Sequence, residues 1–297
     1  MNRPSKKPSK LKLVLPKGSL QEATLTLFAH AGFEVAAGSR SYYLSIDDPD
    51  IEAVLLRAQE IPRYVEMGAF DVGISGKDWI TENRARVTEV CELVYAKQGF
   101  RSVKIVLAAP ESSGINKVTD LQGKRIATEL VNLTQDYLKK HGVKAAVEFS
   151  YGATEIKAGK LVDAIVEITE TGSTLFSHHL KILDIIMEST PRLIANTRAW
   201  KDPWKREKIE SIALLLRGAL VGGKKVGLKM NAEKKNLDRI LQVLPAMKNP
   251  TISQLTDADW VALETIVDRP TAKDLIPRLK KLGAQGIVEY PLNKVID

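Results

Sequence analysis

Within EITETGSTL (residues 167–175) two carboxylates, Glu167 and Glu170, stand beside a turn built from Thr171, Gly172, Ser173 and Thr174. The apolar run DAIV precedes this stretch and FSHHLKIL follows it, a pattern that reads as a buried strand, a turn and a short helix. Such a junction offers backbone N–H groups to a phosphate, and a glycine lets the backbone approach it closely. Fixed negative charge next to a phosphate is repulsive, so the carboxylates need a different partner. A sugar phosphate reconciles the two: its phosphate takes amides and hydroxyls, while a carboxylate accepts hydrogen bonds from ribose hydroxyls. Ordinary strand–turn–helix connections carry the same residue types, so the stretch alone leaves that alternative open.

Other residues at strand ends extend the theme: Lys17, Gly18 and Ser19 after LKLVLP, Arg57 after IEAVLL, and Ser75, Gly76 and Asp78 after FDVGI. Singly each is a turn, but four phosphate-compatible turns facing one cleft have a common explanation. Metal chemistry is not expected. His178 and His179 are adjacent and point in different directions, and His30 and His141 sit at helix ends, where a cation complements the dipole. The sequence has no Cys pair, HExxH, GxSxG elbow, Walker lysine motif or GxGxxG fingerprint.

The elements that must position these residues alternate. A buried strand and turn in LKLVLPKGSL (residues 11–20), a helix through QEATLTLFAHAGF, strand 51–56, helix 61–67 and strand 70–74 predict an α/β lobe. Strand 104–110, GKRIATEL, the helix LTQDYLKKHG, the strand AAVEFSYG and residues 163–175 predict a second lobe. LKILDIIMESTPRLIANT then reads as one or two strands returning to the first. The paired glycines of GALVGG (residues 218–223) read as a helix end and a boundary. Beyond them strand 224–230, helix 232–244, strands 251–255 and 260–267, helix 271–282 and strand 286–290 give the ferredoxin-like order βαββαβ. The expected domains are a basic disordered tail at 1–10, lobe I at 11–103 with 191–223 returning to it, lobe II at 104–190, and a third domain at 224–297.

The formal net charge of +8 invites a nucleic-acid reading, but Arg3, Lys6, Lys7, Lys10 and Lys12 concentrate positive charge at the start of the chain. The second basic cluster, KDPWKREK (residues 201–208), reads as a helix start with Pro203 in its first turn. No apolar run approaches the ~18 residues that span a bilayer, and no signal peptide is recognisable. A single cysteine, Cys91, fits a reducing compartment and reads as a small buried residue. The expectation is a cytoplasmic protein that binds neither nucleic acid nor membrane.

The segments PKGSL, LLRAQEIPRYVEMGAFDVGISGKD, LQGKRIATE, YGATEI, LVDAIVEITETGSTL and PTISQL together resemble the ATP phosphoribosyltransferase family in its long form. The most specific part runs over residues 155–175. Two departures stand out: Lys160-Leu161-Val162-Asp163 replaces the frequent Gly-Leu-Ala-Asp, and Glu167 replaces a frequent Asp. The resemblance implies a two-lobed, periplasmic-binding-protein-like (type II) α/β core with a C-terminal regulatory domain. It implies condensation of ATP with phosphoribosyl pyrophosphate, releasing pyrophosphate, as the first step of histidine biosynthesis.

Carried over by residue, the resemblance puts Glu170, Thr171, Gly172, Ser173 and Thr174 on the 5-phosphate of phosphoribosyl pyrophosphate and Glu167 on its ribose hydroxyls. Lys17, Gly18, Ser19, Arg57, Gly76 and Asp78 fall on the ATP and pyrophosphate side, with Lys17, Arg57 and Glu167 as the catalytic set. Mg²⁺ is implied mainly on substrate oxygens. Histidine is implied as inhibitor near Asp238, Thr251 and Leu255, in homo-oligomers from dimer to hexamer. A cytoplasmic sensor of the same two-lobed fold, binding without turnover, is the alternative, because fold does not decide function.

Overall fold

The computed structural model describes residues 10–38, 41–96, 101–245 and 250–296; the expected tail at 1–10 lies, but for Lys10, outside them. The chain begins with β1 (Leu11–Lys17), α1 (Gln21–Ala31), β2 (Val35–Ala37), β3 (Tyr43–Ile46), β4 (Ile51–Arg57), α2 (Ile61–Glu66), β5 (Val72–Gly76), α3 (Lys77–Glu82) and β6 (Thr88–Glu92). It continues through β7 (Val103–Pro110), β8 (Arg125–Thr128), α4 (Val131–Lys140), β9 (Ala146–Phe149), β10 (Ala164–Thr169), α5 (Ser173–Ser177), β11 (Leu180–Ser189) and β12 (Pro191–Ala195). The remaining elements are α6 (Pro203–Lys224), β13 (Lys225–Glu233), α7 (Leu237–Leu241), β14 (Thr251–Gln254), β15 (Trp260–Asp268), α8 (Arg269–Lys281) and β16 (Gln285–Pro291).

Two sheets form the core of the larger unit, with orders β2-β3-β4-β1-β5-β12-β6 and β11-β7-β10-β8-β9. They repeat one plan. In the first, β4, β1 and β5 are parallel and β12 runs antiparallel between β5 and β6. In the second, β9, β8 and β10 are parallel and β7 runs antiparallel between β10 and β11. Each antiparallel strand follows a passage between the sheets: the chain leaves the first sheet after β6 to become β7 and leaves the second after β11 to become β12. This is the two-lobed α/β core expected, and both crossing segments border the space between the lobes.

Parallel central strands are covered on both faces, which explains the nearly continuous apolar run of β1. Pro16 is tolerated there because pairing with β5 involves only Leu13 and Val14, so its missing N–H removes no bond on that side. Val14, Ile61, Val65, Ile80 and Ile194 form one lobe I cluster, while Ile105, Leu107, Ile126, Leu133, Ala164 and Val166 belong to the lobe II core. The lobes are also tied through α3. The Glu82 carboxylate accepts the N–H groups of Asn132 and Leu133 at 3.0 and 2.9 Å, satisfying free donors at the start of α4. Cys91, expected to be buried, is only half-buried on β6.

Lys205, Arg206 and Lys208 of the basic cluster at 201–208 are engaged within the unit. Lys205 pairs with Asp71 at 2.6 Å, Lys208 with Asp48 at 2.6 Å, and Arg206 lies over the Trp200 ring at 5.0 Å. The glycines of GALVGG do not end a helix: α6 runs through them to Lys224, and the chain divides into its two compact units within this helix, after Ala213. Close packing explains these glycines. A Cβ on Gly222 would lie 2.9 Å from the Asn293 backbone, one on Gly218 3.0 Å from Ile296 Cγ1, and Val295 donates its N–H to the Gly218 carbonyl at 2.9 Å.

The smaller unit has the sheet order β14-β15-β13-β16, antiparallel throughout, with Ile240 from α7 and Leu275 and Leu279 from α8 packed on Leu228, Met230 and Leu263. This is the βαββαβ domain. Its first strand is longer than expected, because the alternation of buried residues continues through Ala232. The helix expected at 232–244 is correspondingly short, a single turn at 234–236 followed by α7.

Candidate active site

A cleft of about 330 Å³ opens between the lobes, lined by Lys17, Gly18, Ser19, Arg57, Gly76 and Asp78 from lobe I and by Glu129, Ile168 and Glu170 from lobe II. The crossing segments add Tyr95, Ser189 and Thr190. All six residues expected on the ATP side therefore meet in one wall.

Strand register creates the cationic part of that wall. Lys17 and Arg57 are the last paired residues of parallel β1 and β4, so both side chains emerge at the strands' C-terminal ends, where open α/β sheets bind ligands. Gly18 turns the chain away with φ +106°, and a Cβ there would lie 3.6 Å from an Arg57 guanidinium nitrogen. The Lys17 ammonium lies 3.9 Å from the centroid of the Tyr42 ring, within the range of a cation–π contact. Among the described residues neither cation forms an ion pair. Ser75 is occupied structurally, its hydroxyl donating to the Ala58 carbonyl at 2.7 Å.

Asp78, in the first turn of α3, is only 3 % exposed. Burial raises its carboxyl above the usual carboxylate range, opposed by the Ser189 hydroxyl and by the N–H groups of Trp79 and Asp78. Ser189 Oγ donates to Oδ1 at 2.7 Å. Gly76 makes the room, since a Cβ there would lie 2.0 Å from Oδ1. Nearby, the buried Tyr95 hydroxyl and Thr24 Oγ1 share a hydrogen bond at 2.7 Å, and burial raises the phenol's pKa.

Lobe II is built differently. Glu167, on β10, has its carboxyl raised by burial foremost and then by the negative charges of Glu155 and Glu129; the Ile168 N–H and the Thr154 hydroxyl oppose the shift. Following it, Gly172 is buried with φ +80° and begins α5, while Thr171, Ser173 and Thr174 are exposed. Their polar groups are engaged locally: the Gly172 N–H donates to Thr169 Oγ1 at 2.8 Å, and the Thr171 and Ser173 hydroxyls share a bond at 3.0 Å. Of the residues expected on the phosphoribosyl side, Glu170 alone is in the cleft lining; Glu167, Thr171, Gly172, Ser173 and Thr174 are not.

The residues expected to hold histidine do not converge. Asp238 is exposed on α7, whose apolar side covers the sheet core. Thr251 pairs with Glu264, which alternates with buried Leu263 and so faces away from the helices. Among the described residues no hydrogen bond joins Asp238 to Thr251 or Leu255.

Sequence reasoning missed Tyr95, Glu129, Ser189 and Thr190. Ser-Thr-Pro between two apolar runs, at 189–191, was the readable sign of a crossing point, whereas nothing local marks Tyr95.

Comparison with known proteins decides the family. Residues 57–218 match the family described as ATP phosphoribosyltransferase, and residues 223–294 match the HisG C-terminal domain. The chain is 58% identical over 287 residues to the ATP phosphoribosyltransferase of Chlorobium chlorochromatii and 59% identical over 287 residues to that of Pelodictyon phaeoclathratiforme. Each alignment covers 97% of this chain and 98% of the relative. The chain belongs to the ATP phosphoribosyltransferase family. Its C-terminal match makes it a long-form member: a phosphoribosyl-transferring enzyme, of the glycosyltransferase class, for the first step of histidine biosynthesis. A solved ATP phosphoribosyl transferase (HisG:HisZ) complex from Thermotoga maritima contains a similar chain, with TM-score 0.61 and 29% identity, covering 71% of this chain and 97% of that one. Nothing in the fold or the comparisons favours a sensor without turnover.

Proposed function

We propose that this ATP phosphoribosyltransferase binds ATP and the pyrophosphate of phosphoribosyl pyrophosphate against the lobe I wall, and the ribose 5-phosphate on the β10–α5 turn. The observation that carries the reading is the placement of Lys17, Gly18, Ser19, Arg57, Gly76 and Asp78 in one cleft with Glu170 of the opposite lobe. Adenine N1 of ATP attacks the ribosyl C1, the N1–C1 bond forms with inversion, and the C1–O bond breaks with its electron pair leaving on pyrophosphate. Lys17 and Arg57 stabilise charge developing on that leaving group. Glu167 accepts hydrogen bonds from the ribose hydroxyls, and Thr171 and Thr174 assist at the phosphate. Positioning two polyanions in line supplies most of the acceleration, and no general base is assigned.

Among the described residues no three His, Cys, Asp or Glu side chains converge on a point that could hold a metal ion. Mg²⁺ is carried on the phosphate oxygens of the substrates, as its chemistry favours.

Histidine feedback through the C-terminal domain, a dimer-to-hexamer assembly and a cytoplasmic location complete the reading. Among the described residues no helix is long and apolar enough to cross a membrane. Because Asp238 and Thr251 lie on different sides of one sheet, a histidine site using both draws on a second copy of the chain. The deciding experiment is pyrophosphate release on mixing protein, ATP, phosphoribosyl pyrophosphate and Mg²⁺. Release that needs both substrates supports the proposal; binding without release overturns it.

A further inference from the structure

We propose that Ser189 is a positioning residue of this cleft, holding the Asp78 carboxylate ionised and oriented as an acceptor for the substrate bound beside Lys17 and Arg57. The inference rests on the reading of that wall as the ATP side. The two residues are 111 positions apart, yet they bond reciprocally: Ser189 Oγ accepts the Asp78 N–H at 3.0 Å and donates to Asp78 Oδ1 at 2.7 Å. Accepting from the amide uses one lone pair of the hydroxyl and leaves its single proton to be donated to the carboxylate. A hydroxyl donating to a carboxylate stabilises the charged form.

Both groups are buried, Asp78 at 3% and Ser189 at 2% exposure, and both line the cleft. The carboxyl fills the space that the missing Cβ of Gly76 leaves. Burial works against its ionisation, and among the described residues no cation is bonded to it. The charged and titratable groups around the same cleft are Lys17 and Arg57 at the ends of β1 and β4, Tyr95 after β6, Glu129 after β8 and Glu170 after β10. Lys77, on α3 itself, is taken by Glu89. Ser189 is therefore the side-chain donor that keeps this acid charged. It closes β11, the strand from which the chain returns to lobe I, so the orientation of Asp78 is set from the segment joining the lobes.

The test is the pH profile of kcat/KM for ATP, with melting temperature recorded for every variant. Ser189→Ala should move the acid limb upward by about one pH unit, since a hydrogen bond to a charged group is worth about that much. Ser189→Thr, which keeps the hydroxyl, should restore the wild-type limb. Should the alanine variant not fold, Ser189→Cys keeps the volume, offers a poor donor, and must show the same displacement. Asp78→Asn separates the two levels of the claim, with at least a roughly tenfold loss expected. Wild-type activity in Asp78→Asn would overturn the ATP-side reading of Asp78 and this inference with it. Loss in Asp78→Asn, together with an unshifted or uniformly lowered profile in folded Ser189→Ala, would overturn the role of Ser189 alone.

Discussion

The two walls of the cleft reach their chemistry by different routes. Lobe I presents a finished surface: strand register fixes Lys17 beside Arg57, and Asp78 is buried and doubly bonded to Ser189. Lobe II presents a turn whose hydroxyls are exposed and whose donors bond to one another. On the function proposed above, the difference teaches that the leaving-group side is pre-organised by sheet geometry, whereas the phosphoribosyl side must exchange internal hydrogen bonds for bonds to a phosphate. Pre-organised charge acts without reorganisation cost in the transition state. Damage to lobe I should therefore appear mainly in turnover, and damage to lobe II mainly in one substrate's affinity.

The largest effect that would break this contrast comes from Arg57→Ala. Removing a preorganised cation from a developing charge should lower kcat by about 10²–10³-fold with a smaller change in KM. A steady-state measurement giving a change in KM alone would mean that lobe I merely binds.

An intermediate effect is expected at Gly172. Its φ of +80° costs a β-branched residue about 1–2 kcal/mol, and Phe176 and Ile182 stand 3.4 and 3.7 Å from where a Cβ would sit. Gly172→Val should raise KM for phosphoribosyl pyrophosphate roughly tenfold, in line with that strain, while leaving KM for ATP unchanged. Gly172→Asn, which tolerates the left-handed region, should lie close to wild type. Equal KM values for the valine and asparagine variants would remove backbone conformation from the explanation.

The smallest effect sharpens the picture of lobe II. Because burial raises the Glu167 carboxyl, the folded state binds a proton more tightly than the unfolded chain, so wild-type stability falls as pH rises from the usual carboxylate range through the raised value. Glu167→Gln lacks that ionisation. Melting curves should show the variant slightly more stable than wild type at neutral pH, with the gap closing as pH falls below ~4, where the carboxyl becomes protonated in both states. A variant less stable at every pH would mark Glu167 as a structural residue.

Much of this was legible in the sequence, and the parts that were not have physical reasons. Strand ends followed by glycine and charge identified the lobe I wall, because parallel strands deliver their C-terminal residues to one edge. The βαββαβ order followed from alternating and helical periodicities. GALVGG misled because a glycine that permits close packing and one that terminates a helix are the same residue in a string; only the neighbouring 293–296 segment tells them apart. Glu167 carries a readable charge, but its burial beside Glu155 and Glu129 depends on neighbours from other segments. Ser189 acquires its role through a partner 111 residues away, which no local pattern encodes.

Separate calorimetric titrations of folded Glu167→Gln with phosphoribosyl pyrophosphate and with ATP test the division of the cleft most directly. The account predicts at least a roughly tenfold weaker affinity for phosphoribosyl pyrophosphate, from the loss of charge-assisted bonds to the ribose hydroxyls, and an ATP affinity equal to wild type. Parallel weakening of both substrates, or no change in either, would contradict it.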